Sequence, residues 1–288
     1  MVIKNTYIRS IAIILLFISS SSLPNKSVVT LFSHGIADLW KQARLYLKTY
    51  KSKGVIHRNL HYTINSPYVS FNYPDATTRF YRVNYNETSF GQENEIRRLY
   101  TAYGKTLKRF AGFDVILYGL SRGASNVLIF AGLYDLPEVK ALILESPYFT
   151  MTDVIENMLR VRNLSWVPLS YGEMLAEMIF KKYTRHGNSP ANCLEFIPHD
   201  MPILIICSKE DTLVPYTSSM EVYKKLIQTG HKNTYIFVTD HGKHAEIIKG
   251  TNGQHYQWVV NAFYKKFNLS YVASDAEKGE SILSLCQP

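Results

Sequence analysis

The chain has 288 residues, 46% of them hydrophobic and 19% charged, which suits one large buried core and excludes wholesale disorder. Its formal charge is +9, but the basic residues are scattered without a run of five or six, the pattern of a solvated basic surface. No zinc-finger, basic-zipper or RNA-binding signature is present, so no nucleic acid partner is expected, and the three cysteines and the histidines have no paired spacing for a metal.

The chain opens with Lys4 and Arg9, the short apolar stretch "SIAIILLFIS", and the small residues and breaker of "SSSSLPNK". That order reads as a secretory signal peptide over 1–24, cleaved between Ser20 and Asn25, and predicts a secreted or periplasmic protein. The apolar run is shorter than the ~20 residues of a membrane span. An uncleaved anchor, which would hold the domain against a membrane, and a buried core element are the alternatives.

Short apolar runs then alternate with helical patterns. Strands are predicted at 27–33, 68–73, 114–119, 139–146, 202–208 and 233–240, nearly all continuously apolar, as parallel strands covered on both faces are. Helices are predicted at 36–52, 90–110, 122–134, 217–229 and 254–267. In the second of these, Ile96, Leu99, Tyr100, Tyr103 and Leu107 share one face. This alternation predicts an α/β fold, a mostly parallel sheet of about six strands with helices on both faces. Right-handed crossovers would collect the strand C-terminal ends, and any site, along one edge.

Two stretches break the rhythm. Residues 53–90 hold one strand and a Tyr/Asn-rich loop. Residues 147–200 form an insertion in which Thr150 and Asp153 suit a capping box. Its Met158, Leu159, Trp166, Met174, Met178, Ile179 and Phe180 suit plain packing or a lid over a pocket. A polar tail, 271–288, reads as loosely ordered. Cys207 lies in an apolar run and reads as core, while a Cys193–Cys286 bridge is open.

The chemistry is carried by "VILYGLSRGASN". Gly119-Leu120-Ser121-Arg122-Gly123 is G-x-S-x-G between a predicted strand and a predicted helix, the context of a nucleophile elbow. Gly119 and Gly123 would let helix and strand pack close around a strained turn, and the helix N-terminus would point its N–H groups at the site. An activated serine needs a base, and the base an orienting carboxylate. Glu210 and Asp211 follow one strand, and His241 and His244 follow the next, so all these groups fall on the same sheet edge. His34-Gly35 ends the first strand, and N–H groups there and at Arg122 could converge on an oxyanion.

With "SHG", "GLSRG", "LESPYFT", "CSKEDTLVP" and "GKHAE", the chain resembles the α/β-hydrolase superfamily of serine hydrolases from about 27 to 267, and within it the small prolyl-oligopeptidase-type and monoacylglycerol-lipase-like hydrolases. The resemblance implies Ser121 as nucleophile, Asp211 as acid, His244 as base, the backbone N–H groups of Ile36 and Arg122 as oxyanion donors, and 147–200 as a helical cap on a domain running over 25–270. Asp211 meets the family pattern D-x-L-V-P, with Leu213 and Val214 holding the loop inward. The usual N-terminal antiparallel hairpin is missing, which implies a minimal sheet. The expected activity is hydrolysis of an acyl bond, foremost a carboxylic ester, in a small-molecule or lipid-like substrate, without cofactor or metal. A peptidase, amidase or acyltransferase on the same triad is the alternative, and a catalytically silent binding module the rival from another class.

Overall fold

Six apolar runs of the sequence become the six strands of one parallel sheet. The computed structural model describes residues 27–36, 40–47, 50–52, 55–57, 66–77 and 82–287, so the signal or anchor segment read at 1–24 lies outside the described residues. The strands are β1 (Val28–Ser33), β4 (Tyr68–Ser70), β7 (Asp114–Leu120), β8 (Val139–Glu145), β9 (Ile203–Ser208) and β10 (Thr234–Thr239), in the order β10-β9-β8-β7-β1-β4. Every neighbouring pair is parallel. β1 and β9 are buried along their whole length, whereas the edge strands β4 and β10 are only partly covered. Two short antiparallel pairs lie apart from the sheet: β2 (Tyr50–Ser52) with β3 (Val55–His57), and β5 (Ala76–Thr77) with β6 (Arg82–Val83).

Alternation along each strand builds two cores. Val29, Leu31, Val115 and Leu117 face one side, where they meet α2 (Glu93–Arg109), α3 (Arg122–Leu133) and α6 (Tyr216–Gln228). Phe32, Ile116 and Tyr118 face the other, against α1 (Ala43–Leu47), α7 (Gly253–Lys266) and α8 (Ala273–Ser284). The chain passes from β1 outward to β4 and returns to β7 on the opposite side of β1. Strand order therefore reverses between β1 and β7, and their C-terminal ends, with Ser33 paired to Gly119, open the crevice where such sheets place a site.

Three sequence expectations change. The helix expected over 36–52 is a 3₁₀ turn, Trp40–Gln42, running into α1, and the chain is extended again by Tyr50. The buried stripe of this short helix is Ala43, Tyr46 and Leu47. The tail read as loosely ordered over 271–288 contains α8, whose small inner stripe of Ala276 and Gly279, continued by Leu283, packs on α7. Beyond it the Cys286 carbonyl accepts from the Ile236 N–H and covers part of the β10 edge. Cys193 and Cys286 are free thiols in the cores on opposite faces of the sheet, which rules out the bridge between them.

The insertion after β8 supplies two helices, α4 (Met151–Val161) and α5 (Leu169–Ile179), above the sheet edge. The Thr150 hydroxyl accepts from the Asp153 N–H, and the Asp153 carboxylate accepts from the Thr150 N–H, so the capping box that starts α4 is complete. The last part of the segment read as cap, 190–196, returns to the sheet core, where Leu194 is fully buried.

Candidate active site

Ser121 sits between β7 and α3 at φ 54° and ψ −122°, a backbone region costly for a residue with a side chain. Two close approaches hold it there. A Cβ on Gly119 would lie 2.4 Å from the Ala124 Cα, and one on Gly123 would lie 2.1 Å from the Ser33 carbonyl oxygen. Only glycine lets α3 start this near β7 and β1. The Ser121 N–H donates to the Glu145 carbonyl of β8 at 2.7 Å, and the Ser121 carbonyl accepts from the Ala124 and Ser125 N–H groups. The turn is thus fixed from both sides, with the free N–H of Arg122 at the start of α3.

The Ser121 Oγ lies 2.8 Å from His244 Nε2, and His244 Nδ1 lies 2.7 Å from Asp211 Oδ2. Nδ1 donates to the carboxylate, which leaves Nε2 free to accept the serine proton. The other oxygen of Asp211 accepts the Leu213 and Val214 N–H groups, each at 2.9 Å, so the loop after β9 aims the carboxylate. Asp211 is buried and His244 keeps only a small exposed edge. The neighbouring pair is built the same way but outside: Glu210 meets His241 Nδ1 at 2.9 Å and the Gly242 N–H at 2.9 Å, with both side chains solvent-exposed. Those contacts lower the Glu210 pKa and raise that of His241, each through its hydrogen bonds first. The structure therefore joins Ser121, His244 and Asp211, and leaves Glu210 and His241 apart from them.

Beside the elbow, the loop after β1 brings Gly35 and Ile36 to the same crevice, and Ile36, Ser121 and Arg122 line one cavity. Sequence reasoning assigned Arg122 a role through its backbone alone, but its side chain has another. The guanidinium turns beneath the elbow, fully buried, 2.5 Å from Asp75 Oδ2 and 3.1 Å from Glu95 Oε1. It also donates to the Gly35 carbonyl at 3.1 Å and lies over the Tyr73 ring at 4.7 Å. Burial alone would push its pKa down; the Glu95 and Asp75 carboxylates more than reverse this and push it up. Glu95 is fully engaged, accepting the N–H groups of Ser89 and Gly91 and the Asn126 amide. His34, also buried, is pushed down to about 3 by burial and by the Arg122 charge. It is neutral, accepts from the Tyr73 N–H at Nε2 and donates to the Gly35 carbonyl from Nδ1. The Gly35 N–H is held by Gln42 Oε1 at 3.1 Å. Both polar groups of Gly35 are thus tied down immediately before the Ile36 N–H.

Glu145, at the end of β8, is a second feature not apparent in sequence. It is fully buried, and burial raises its pKa to about 7, partly offset by the hydroxyls of Tyr256 and Tyr46. The Tyr46 hydroxyl lies 3.1 Å from both Glu145 Oε1 and the carbonyl of Ala245, the residue after His244. One hydroxyl proton cannot serve two acceptors, whereas a protonated Glu145 donates to Tyr46 and frees Tyr46 to hold the His244 loop. Because the folded pKa lies above the ordinary 4.5, the stability tied to this proton is complete below about pH 4.5 and is lost as pH rises through 7. Comparing urea unfolding at pH 5 and pH 8, the wild type should lose about 2–3 kcal/mol more than Glu145→Gln, which cannot ionise. Equal losses in the two proteins would exclude this account.

Over Ser121, α4 and α5 enclose a cavity of about 600 Å³ whose lining is dominated by Met, Leu, Ile, Val and Phe side chains, with no carboxylate among them. Its size is that of a small-molecule site. A hydroxyl paired with a histidine, that histidine paired with a buried carboxylate, and free N–H groups alongside can add an oxygen to a carbonyl carbon and hold the negative charge that forms.

The sequence model of the prolyl oligopeptidase family matches residues 114–269, more than half of the chain, taking in the elbow, the two-helix insertion and the loops of Asp211 and His244. Among solved structures, the chain is similar to an acylaminoacyl peptidase from Pyrococcus horikoshii, with 17% identity and a TM-score of 0.59 over 88% of this chain. It spans only 39% of that protein's length. An esterase from Pyrococcus furiosus matches at 17% identity and a TM-score of 0.56, over 84% of this chain and 83% of the other. A carboxyl esterase from Bacillus coagulans matches at 13% identity and a TM-score of 0.53, over 85% and 91%. At such identities the likeness is one of fold, the α/β-hydrolase fold. No curated protein is similar to the chain in sequence.

Proposed function

The chain belongs to the prolyl oligopeptidase family, among the α/β-hydrolase-type serine hydrolases, and from that premise we propose that it hydrolyses carboxylic esters with an apolar acyl chain through a covalent acyl-enzyme on Ser121. The observation that carries this reading is the unbroken relay from Ser121 to His244 to Asp211 beneath an apolar cavity. Ser121 Oγ attacks the acyl carbon as His244 Nε2 takes its proton. The carbonyl π pair moves onto oxygen, where the N–H groups of Arg122 and Ile36 receive it. Collapse expels the alkoxide, protonated by His244, and leaves the serine ester. Water attacks in turn, giving its proton to His244, and the acid leaves as Ser121 is restored.

The ester preference rests on the cavity lining. A free peptide amino group would find no carboxylate there, whereas an acyl chain finds aliphatic and aromatic walls. The family's name favours the second reading, a peptidase on the same relay. A panel of acyl esters of graded chain length, run beside aminoacyl amides, decides between them: kcat/KM rising with acyl length supports the ester reading, and faster turnover of the amides rejects it.

The paired acids and histidines give a sharper test of the assignments. Asp211→Asn and His244→Ala should each lower kcat by on the order of 10³ or more, while Glu210→Gln and His241→Ala cost less than about tenfold. The exposed pair can lose its mutual contact to water without moving Ser121. A dead His241 variant beside an active His244 variant would overturn the relay as drawn.

A further inference from the structure

Helix α5 is apolar on both sides. Its inner side closes the cavity with Gly172, Ala176, Leu175 and Ile179. Outward it turns Tyr171, Met174 and Met178, which are 61%, 48% and 66% exposed and follow the spacing of one helical stripe. In the connection before it, Trp166 is 79% exposed. Single exposed apolar residues are ordinary, but three along one side of a helix, with an exposed indole in the connection that precedes it, are not.

The charges around the stripe are sorted. Glu173 and Glu177 of α5 lie 3.7 and 3.9 Å from Arg185, and Glu173 also accepts from Thr152. The exposed Arg160 and Arg162 at the end of α4, and the exposed Lys181 and Lys182 just beyond α5, form no ion pair among the described residues. Arg160 shares a crevice with Asp153, Glu156 and Glu221, so the cations left for the apolar face are Arg162, Lys181 and Lys182, on a chain of net charge +9. An amphipathic element of that composition lies in a lipid interface, its apolar stripe among acyl chains and its bases at anionic headgroups. No helix of the described residues is long and apolar enough to cross a membrane.

We propose that α5 and Trp166 dock the protein on the surface of an anionic lipid bilayer. Leu175 and Ile179 line the cavity and are themselves 53% and 44% exposed, so the cavity communicates with the docking face. Docking then sets the entrance to Ser121 against the bilayer, and an acyl ester passes from lipid to cavity without crossing water. That consequence rests on the acyl-ester reading; docking itself needs no turnover. A second copy of the chain, or the chain's own apolar N-terminal stretch, are the competing occupants, and each leaves its own signature.

The test uses the full chain carrying Ser121→Ala, so that binding is read apart from hydrolysis. Trp166 emission is taken as the difference from a Trp166→Phe partner, with vesicles of phosphatidylcholine alone or with about a third phosphatidylglycerol. The expected result is an indole open to iodide in buffer at every protein concentration, which shifts to the blue and becomes shielded with the anionic vesicles. Met174→Gln with Met178→Gln should weaken that partition by about tenfold or more. With Ser121 intact, the same pair of changes should leave hydrolysis of a short soluble ester unaltered. Shielding in buffer that grows with concentration assigns the face to a second copy, and shielding independent of concentration assigns it to the chain itself; either overturns the proposal. So does an indole that anionic vesicles leave unchanged, or equal partition of the double variant. Failure of the ester reading would appear separately, in the chain-length panel.

Discussion

Ser121→Ala is expected to abolish ester turnover, lowering kcat by on the order of 10⁴ or more, while leaving the fold in place. The loss is large because, in the proposed reaction, the hydroxyl is the only atom of the relay that bonds to the acyl carbon. Without it His244 has no proton to take, and water must attack without forming the acyl-enzyme. The fold survives because what fixes the elbow is not the hydroxyl. The turn at φ 54° is held by the Ser121 N–H on the Glu145 carbonyl and by the closeness of Gly119 and Gly123 to their neighbours. Alanine meets the same backbone cost as serine. A urea unfolding midpoint close to wild type, together with loss of labelling by a fluorophosphonate, is the expected pair of results. Residual activity above a tenth of wild type would remove Ser121 from the attacking role.

Arg122→Met is expected to cost about 3–5 kcal/mol of stability at neutral pH, far more than its loss of packing. Asp75 and Glu95 would remain buried without the cation between them, together with the Gly35 carbonyl that it holds. Urea unfolding at neutral pH checks this, and a variant as stable as wild type would show the buried Arg122–Asp75–Glu95 cluster to be dispensable. Arg122→Lys separates structure from chemistry. Lysine keeps the charge but has no planar fork to reach two carboxylates and a carbonyl together. It should fold, with kcat down about 10–100-fold and KM little changed, because the Gly35–Ile36 loop, the second oxyanion donor in the proposed reaction, loses its anchor.

Legibility differed sharply between these two sites. Ser121, Asp211 and His244 stand at ends of apolar strands, and a parallel sheet carries all such ends to one edge whatever the sequence distance between them. Two glycines flanking one serine marked the elbow without any knowledge of contacts. The strands were legible for the same reason: continuous burial leaves continuous apolar runs. Nothing comparable marks Arg122, Asp75 and Glu95. Asp75 falls in a Tyr/Asn-rich stretch without periodicity, and Glu95 looks like any acid in the first turn of a helix. Their meeting depends on how the loops after β1 and β4 fold over α3. Glu145 was hidden likewise, since a strand-end glutamate is ordinary until Tyr46 and Tyr256 arrive from distant elements. The C-terminal helix was missed because its buried stripe is built from alanine and glycine, which pack closely but add little hydrophobicity.

The strand order carries a last consequence, for how the chain is made. Of the six strands of the sheet, β1 is the first to leave the ribosome, yet it lies inside the sheet, between β4 and β7. Its two hydrogen-bonding edges are completed by residues 68–70 and 114–119. Until Leu120 has been synthesised, the "VVTLF" segment has at least one open edge, and α3 and α7 are not yet present to complete the layers over its two faces. Long-range parallel pairing of this kind forms late, and the unpaired strand is the part of the nascent chain most prone to aggregate. A chain interrupted between 71 and 113 would therefore be insoluble, whereas release after Leu120 provides both partners of β1 for the first time.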